Sequence, residues 1–222
     1  MYDNIIIIPF RNRDEHLKYF IENTVPLIKT HLPNSKVVVV EQNEGKLFNR
    51  GAILNVGFKE YKDKTKYFFT HDIDMNPTPE IVKSVYAREN INVLRIKSPH
   101  DTSLGGISKI SHDTIFDVNG FPNYIWGWGI EDRALYFRCR IKNINISNQQ
   151  QNFKIMPHTS NFRKYTGINK KYSDMWREKY IDKLDDKQRD ELITQSGINN
   201  LKYTIIERKM IDDIVELIKV SI

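Results

Sequence analysis

Two uninterrupted apolar runs, NIIIIPF at 4–10 and SKVVVVEQN at 35–43, constrain this chain more than any other feature. Consecutive branched aliphatics leave no polar face for water, so each run reads as a strand covered on both sides. Between them, RDEHLKYFIENTVPLIKTHL carries apolar residues at 17, 20, 21, 25 and 28, which is helical spacing. NRGAILNVGFKEYKD at 49–63 repeats that spacing behind a capping Asn49, and KYFFTHDIDMNP at 66–77 supplies a third strand. The order β-α-β-α-β predicts a mostly parallel sheet with helices on both faces, an α/β fold of Rossmann-like type. Further along, the pattern predicts a short strand at 104–110 and a helix at 131–142. From 201 on, the first half alternates like a strand, while the second half suits helix or strand equally.

At 222 residues, with 40% hydrophobic and 28% charged side chains, the chain has the makings of one globular domain over 1–222. No linker divides it. The apolar part of the N-terminus is too short for a signal-peptide core, and no segment approaches the length that spans a bilayer. The single cysteine, Cys139, has no internal partner, which suits a reducing compartment. A cytoplasmic location is expected, with no membrane-spanning segment. The net charge of +6 favours an anionic partner. Nucleic acid and a phosphorylated small molecule are candidates; the spread of Lys and Arg along the chain weakens the former, and a solvated charged surface accounts for the charge equally well.

In parallel sheets ligands sit beyond the carboxyl ends of the strands, which directs attention to Arg11 and Arg13, Glu41 and Gln42, and Asp72 and Asp74. HDIDM places Asp72 and Asp74 two apart at a strand end. Two such carboxylates either share a cation, or one caps a turn while the other is solvated. In IMPHTS, His158 is a natural transition-metal ligand and Met156 a soft one, although a lone His is more often structural. PFRNR and FNR each set an aromatic beside arginines. Arg11, Arg13 and Arg50 could neutralise a diphosphate while Phe10 or Phe48 stacks on a base; alternatively the rings are core and the arginines pair with nearby acids. The glycine pair of LGGIS, including Gly106, allows close backbone approach or forms a plain turn. In WGWGIEDR, Glu131 and Asp132 either complement the dipole of the coming helix or supply a general base. No G-x-S-x-G, phosphate-binding P-loop, H-E-x-x-H or paired C-x-x-C occurs.

Taken in order, IPFRNRDEHLKYF, FNRGAILNVGF, HDIDM, GGIS, NGFPNYIWGWGIEDRALYFR and MPHTS resemble the β-1,4-galactosyltransferase family, glycosyltransferase family seven. The resemblance covers roughly residues 5–160 and implies a GT-A fold, with about 1–100 as the nucleotide-sugar half and about 101–222 as the acceptor half. It also implies Mn²⁺ and a UDP-sugar donor, UDP-galactose or UDP-N-acetylgalactosamine, with a glycan or glycoside acceptor. Carried over position by position, Pro9, Phe10, Arg11, Arg13, Phe48, Arg50, Asp72, Gly106 and Trp128 fall on donor contacts. Asp74, His158 and Met156 fall on the metal ligands. Asp132 falls on the catalytic base, Glu131 on its acceptor-binding neighbour, and Trp128 on the tryptophan of a small loop that swings over the donor. Trp126 is read as buried support for that loop.

The chain departs from the family in three places. Met156-Pro157-His158 is one residue shorter than the usual Met-x-x-His. Ser103 and Leu104 stand where aromatics are common, so Ser103 leaves room for an N-acetyl group. Arg133 replaces a third acid. The expected activity is inverting, metal-dependent transfer of galactose or N-acetylgalactosamine to a sugar hydroxyl. The competing expectation is a non-catalytic nucleotide-sugar or carbohydrate-binding module of the same fold.

Overall fold

The computed structural model describes residues 1–157 and 169–222. Its first strand, β1 (Tyr2–Phe10), shows why an unbroken apolar run must be central. Ile5 and Ile7 point into one hydrophobic cluster, Ile6 and Ile8 into another, and all four are fully buried. Strand β2 (Ser35–Gln42) repeats the arrangement, with Val38 and Val40 on the first side and Val37 and Val39 on the second. This is the period-two geometry of a strand applied to a sequence without polar alternation. At roughly 25 cal/mol per Å² of apolar surface removed from water, these eight side chains are a large part of the driving force.

Helix α1 (Asp14–Asn23) and helix α2 (Val25–His31) follow β1 as two pieces rather than the single helix that the spacing suggested. Pro26 explains the break, since it lacks an N–H and its ring crowds the carbonyl one turn back. Helix α3 (Arg50–Glu60) begins as expected at Asn49, whose side chain accepts from Ala52 N at 2.9 Å. Strand β3 (Thr65–His71) stops sooner than the sequence pattern implied. Residues 72–74 turn away, and Met75–Asn76 (β4) leave the main sheet altogether.

A short helix α4 (Pro79–Ile81) runs on into a wider turn over 82–86. Then come β5 (Val93–Lys97), β6 (Ile107–Ser111), α5 (His112–Asp117), α6 (Glu131–Ile141), β7 (Ile146–Asn148) and β8 (Lys154–Ile155). The last third holds α7 (Lys170–Ser173), α8 (Glu178–Ile181), α9 (Asp186–Thr194), β9 (Thr204–Met210) and β10 (Val215–Ser221). The ambiguous tail is therefore an antiparallel hairpin, and β10 inserts beside β2.

Among the described residues the main sheet has eight strands in the order β7-β5-β6-β3-β1-β2-β10-β9. The neighbours β3-β1-β2-β10 are all parallel, while β6 and β9 run against their partners. The sheet is thus mostly parallel, with helices on both faces. Helix α3 covers one face, and α1, α2 and the 79–86 segment cover the other. A third cluster, built from Ile125, Ala134, Phe137, Trp176, Ile181 and Leu192, joins α6 to the helices after residue 169. No helix among the described residues is long and apolar enough to cross a membrane.

Candidate active site

Strands β1, β2 and β3 lead into site residues where they end. β1 runs out at Phe10, and Asn12, in a left-handed conformation (φ 52°), turns the chain between Arg11 and Arg13. The 43–49 loop after β2 presents Phe48, and the first residue of α3 is Arg50. The turn after β3 presents Asp72 and Asp74, and α6 opens with Glu131 and Asp132. Together with Pro9, Ile73, Gly127 and Trp128, these residues line one cleft of about 330 Å³. The cleft lies where a mostly parallel sheet places its ligands.

Arg50 is the centre of this cleft. Its Nη1 donates to Asp132 Oδ1 at 2.6 Å, and its Nε and Nη2 donate to Asp72 Oδ1 at 2.9 and 2.8 Å. Glu131 Oε1 lies 3.9 Å from the same guanidinium. Burial works against the Arg50 charge, but Asp132, Asp72 and Glu131 together raise its pKa above the ordinary value. Burial pushes Asp132 up, helped by Asp72 and opposed by Arg50, for a net upward shift. Glu131 is pushed up to about 8, by burial first and by Asp132 second. Its Oε2 is buried without a hydrogen-bond partner among the described residues. Burial and the neighbouring acids thus favour the protonated form of Glu131, while Asp132 is held beside a fixed cation.

Arg11 donates to Lys46 O at 2.8 Å and stands over the Phe48 ring, 5.1 Å from its centroid. Trp128 is 54% exposed at the cleft rim. Trp126 is only half-buried, with Lys46 Nζ 5.4 Å from its ring centroid, so it is not the buried support expected of it. The fully buried tryptophan is Trp176.

The structure relocates two other expected donor contacts. The Phe10 side chain is 3% exposed inside the core cluster with Ile6, Ile8 and Phe20, so its ring does not face the cleft. A strand residue next to the sheet's end still alternates, and Phe10 falls on the inward side. Gly106 (φ 65°) is packed against Lys97 O and Met75, and its carbonyl accepts from Asp72 N at 3.1 Å. It supports the acid instead of lining the cleft. Its neighbour Gly105, the other member of that pair, abuts the Asp132 carboxylate so closely that a Cβ there would clash with Oδ2. The glycine pair signalled close approach; nothing local said that the approaching group was a side chain 27 positions along the chain.

Asp74 is 8% exposed, and its carbonyl accepts from Met156 N at 2.8 Å through the small β4–β8 ladder. That ladder brings the backbone of Met156 beside that of Asp74, each residue flanking one of the two short strands. His158 lies outside the described residues. Among the described residues no group of three or more His, Cys, Asp or Glu is assembled to hold a metal. The site still fits a divalent ion, because a nearly buried carboxylate joins a cleft where four acids face three arginines.

An arginine-and-carboxylate cleft thus lies at the strand ends of a GT-A fold. The fold matches the catalytic domain of Drosophila β-1,4-galactosyltransferase 7 in complex with xylobiose. That likeness covers 100% of this chain and 94% of that one, with TM-score 0.76 at 22% identity. A variant of the Drosophila protein in complex with manganese, UDP-Gal and xylobiose matches equally, with TM-score 0.76 at 23% identity. Staphylococcus aureus TarS 1–349 matches with TM-score 0.54 at 16% identity, over 87% of this chain and 70% of that one. At these identities the likeness is one of fold.

Sequence places the family. Residues 1–87 match the N-terminal region of glycosyl transferase group 7, and residues 87–173 match the domain described as the N-terminal domain of galactosyltransferase. Human β-1,4-galactosyltransferase 4 is 34% identical over 152 residues, covering 64% of this chain and 44% of that protein. Bovine β-1,4-galactosyltransferase 1 is 35% identical over 150 residues, covering 64% of this chain and 37% of that protein. The chain belongs to the β-1,4-galactosyltransferase family, glycosyl transferase group 7. It spans less than half the length of these curated relatives.

Proposed function

We propose that this protein is a metal-dependent glycosyltransferase that moves galactose or N-acetylgalactosamine from a UDP-sugar to a hydroxyl of a glycan acceptor, with inversion. The observation that carries this reading is the convergence, in one cleft, of Arg11, Arg13, Phe48 and Arg50 with Asp72, Asp74, Glu131 and Asp132. The family relationship and the ligands bound by the Drosophila relative support the same donor and acceptor classes.

In this reading Phe48 offers its ring to the uracil and the arginines bind the diphosphate, so charge on the leaving UDP meets fixed cations. Asp74, Met156 and His158 would hold Mn²⁺, which supplies Lewis-acid neutralisation of the diphosphate. Asp132 accepts the proton of the acceptor hydroxyl, because a free alkoxide is out of reach at neutral pH. Protonated Glu131 donates to an acceptor oxygen, and Trp128 gives a sugar ring an apolar surface while reducing water access. The Arg50–Asp132 ion pair favours the ionised form of the base and opposes the upward push of burial. About 1–100 forms the donor half and about 101–222 the acceptor half.

A UDP-sugar panel with Mn²⁺ tests the proposal by scoring donor hydrolysis and then transfer to simple glycosides. Transfer from UDP-galactose or UDP-N-acetylgalactosamine that EDTA abolishes and Mn²⁺ restores is the expected result. Tight UDP binding without transfer to any glycoside would favour the non-catalytic module. Full activity in EDTA would remove the metal site. The donor preference reports on Ser103, whose Oγ accepts from Gly105 N at 3.2 Å close to Asp132.

A further inference from the structure

Glycine normally occupies the left-handed region of backbone space, and Gly127 (φ 84°) and Gly129 (φ 90°) do so here. Ile130 does so as well, at φ 83° and ψ −33°, directly before α6. A β-branched residue there is strained, because its Cβ crowds the backbone in that conformation. Something must hold the Trp126–Ile130 loop in a shape its own sequence resists.

The group in place to do so is Asn169. Its side chain is buried, and its Nδ2 donates to Trp126 O at 2.9 Å, Trp128 O at 3.2 Å and Gly129 O at 3.3 Å. One amide with two hydrogens thus gathers three carbonyls of a single loop. Asn169 is itself fixed: its carbonyl accepts from Tyr172 N at 2.9 Å and Ser173 N at 3.2 Å as α7 begins. Tyr172 packs on Tyr124, whose hydroxyl accepts from the indole of buried Trp176 at 3.2 Å. The clasp is mounted on packed aromatics.

We propose that Asn169 is a positioning residue. Its carboxamide holds the loop against the strain at Ile130 and so sets where Trp128 stands over the cleft. The consequence for donor binding rests on the function proposed above; the clasp itself does not. An aspartate of the same shape would offer no donor and would set a negative charge against three carbonyls. With the clasp gone, Ile130 relaxes toward negative φ and Trp128 leaves its place. A glycine at 130 removes the strain, so the loop then depends less on Asn169.

The test uses the whole chain labelled with 5-fluorotryptophan, whose three resonances are assigned by single Trp→Phe variants. In Asn169→Asp the Trp128 resonance is expected to move, and in Asn169→Asp with Ile130→Gly it returns most of the way. Ile130→Gly alone keeps the Trp128 resonance in place and raises the melting temperature by a few degrees, so the proposal stays testable if Asn169→Asp does not fold. Titration of UDP with Mn²⁺ is expected to weaken by about fivefold or more in Asn169→Asp, and to stay within about twofold in Ile130→Gly. An unmoved Trp128 resonance in Asn169→Asp, or an Ile130→Gly chain that melts lower, overturns the clasp. Absence of UDP binding in the unaltered chain, with the resonance still moving, overturns the nucleotide reading and leaves the clasp standing.

Discussion

Arg50 Nη1 lies 2.6 Å from Asp132 Oδ1, an ion pair between residues 82 apart that joins the start of α3 to the start of α6. Both side chains are mostly covered, 12% and 23% exposed, and the same guanidinium also holds Asp72. The two halves of the cleft therefore meet at one arginine.

Replacing that arginine exposes what it balances. Arg50→Met leaves Asp72, Glu131 and Asp132 facing one another with little water, so stability is expected to fall by about 3–5 kcal/mol. Adding Asp132→Asn to that variant removes one of the stranded charges and recovers part of the loss. Urea denaturation of the two singles and the double measures the coupling. Additive losses would show that the pair is not energetically linked.

Asp132→Asn addresses the chemistry. In the proposed reaction the variant keeps the shape of the side chain but cannot take the acceptor's proton, so transfer is expected to drop by about 10²–10⁴-fold. UDP binding, measured by titration calorimetry with Mn²⁺, is expected to change little. Near-normal turnover would remove Asp132 from the base role.

Glu131 predicts a dependence of stability on pH. Its carboxyl is pushed up to about 8 in the folded chain from an ordinary value of 4.5. Between those two values the folded state holds a proton that the unfolded state has released. Stability from this group is therefore largest at low pH and is lost as pH rises through that window. Glu131→Gln is a neutral isostere that escapes the cost. Its gain in melting temperature over the unaltered chain should be small at pH 5 and grow to pH 9. A gain that shrinks with pH would reverse the assignment.

Gly105→Ala tests a contact rather than a charge. The new methyl would occupy space that the Asp132 carboxylate fills, so either Asp132 or the segment leading into β6 must shift. Transfer is expected to fall while UDP binding and the secondary-structure spectrum are retained. Unchanged transfer would mean that Asp132 moves freely without penalty to its task.

Much of the architecture was legible along the chain, for a definite reason. Ile5–Ile8 and Val37–Val40 have no polar alternation, and a strand without a polar face can only be buried on both sides. Asn49 before an apolar periodicity marked the start of α3, and the positions after the strands marked where a ligand cleft would form. These signals are local or periodic, so they survive in one dimension. The clefts's motifs, from Arg11 to Asp132, were visible one by one for the same reason.

What tertiary structure alone decided lies between distant residues. Arg50 meeting Asp132, Gly105 making room for that acid, and Asn169 gathering the carbonyls of the Trp loop leave no periodic trace in the sequence. Nor does the antiparallel insertion of β6 between β3 and β5, because pairing direction depends on how the chain returns to the sheet. Phe10 beside Arg11 looked like a stacking platform, but the pleat turned its ring into the core. Sequence determines which faces must be hidden; the packed fold determines which side chains then confront one another, and the reactivity of this cleft depends on that second set of choices.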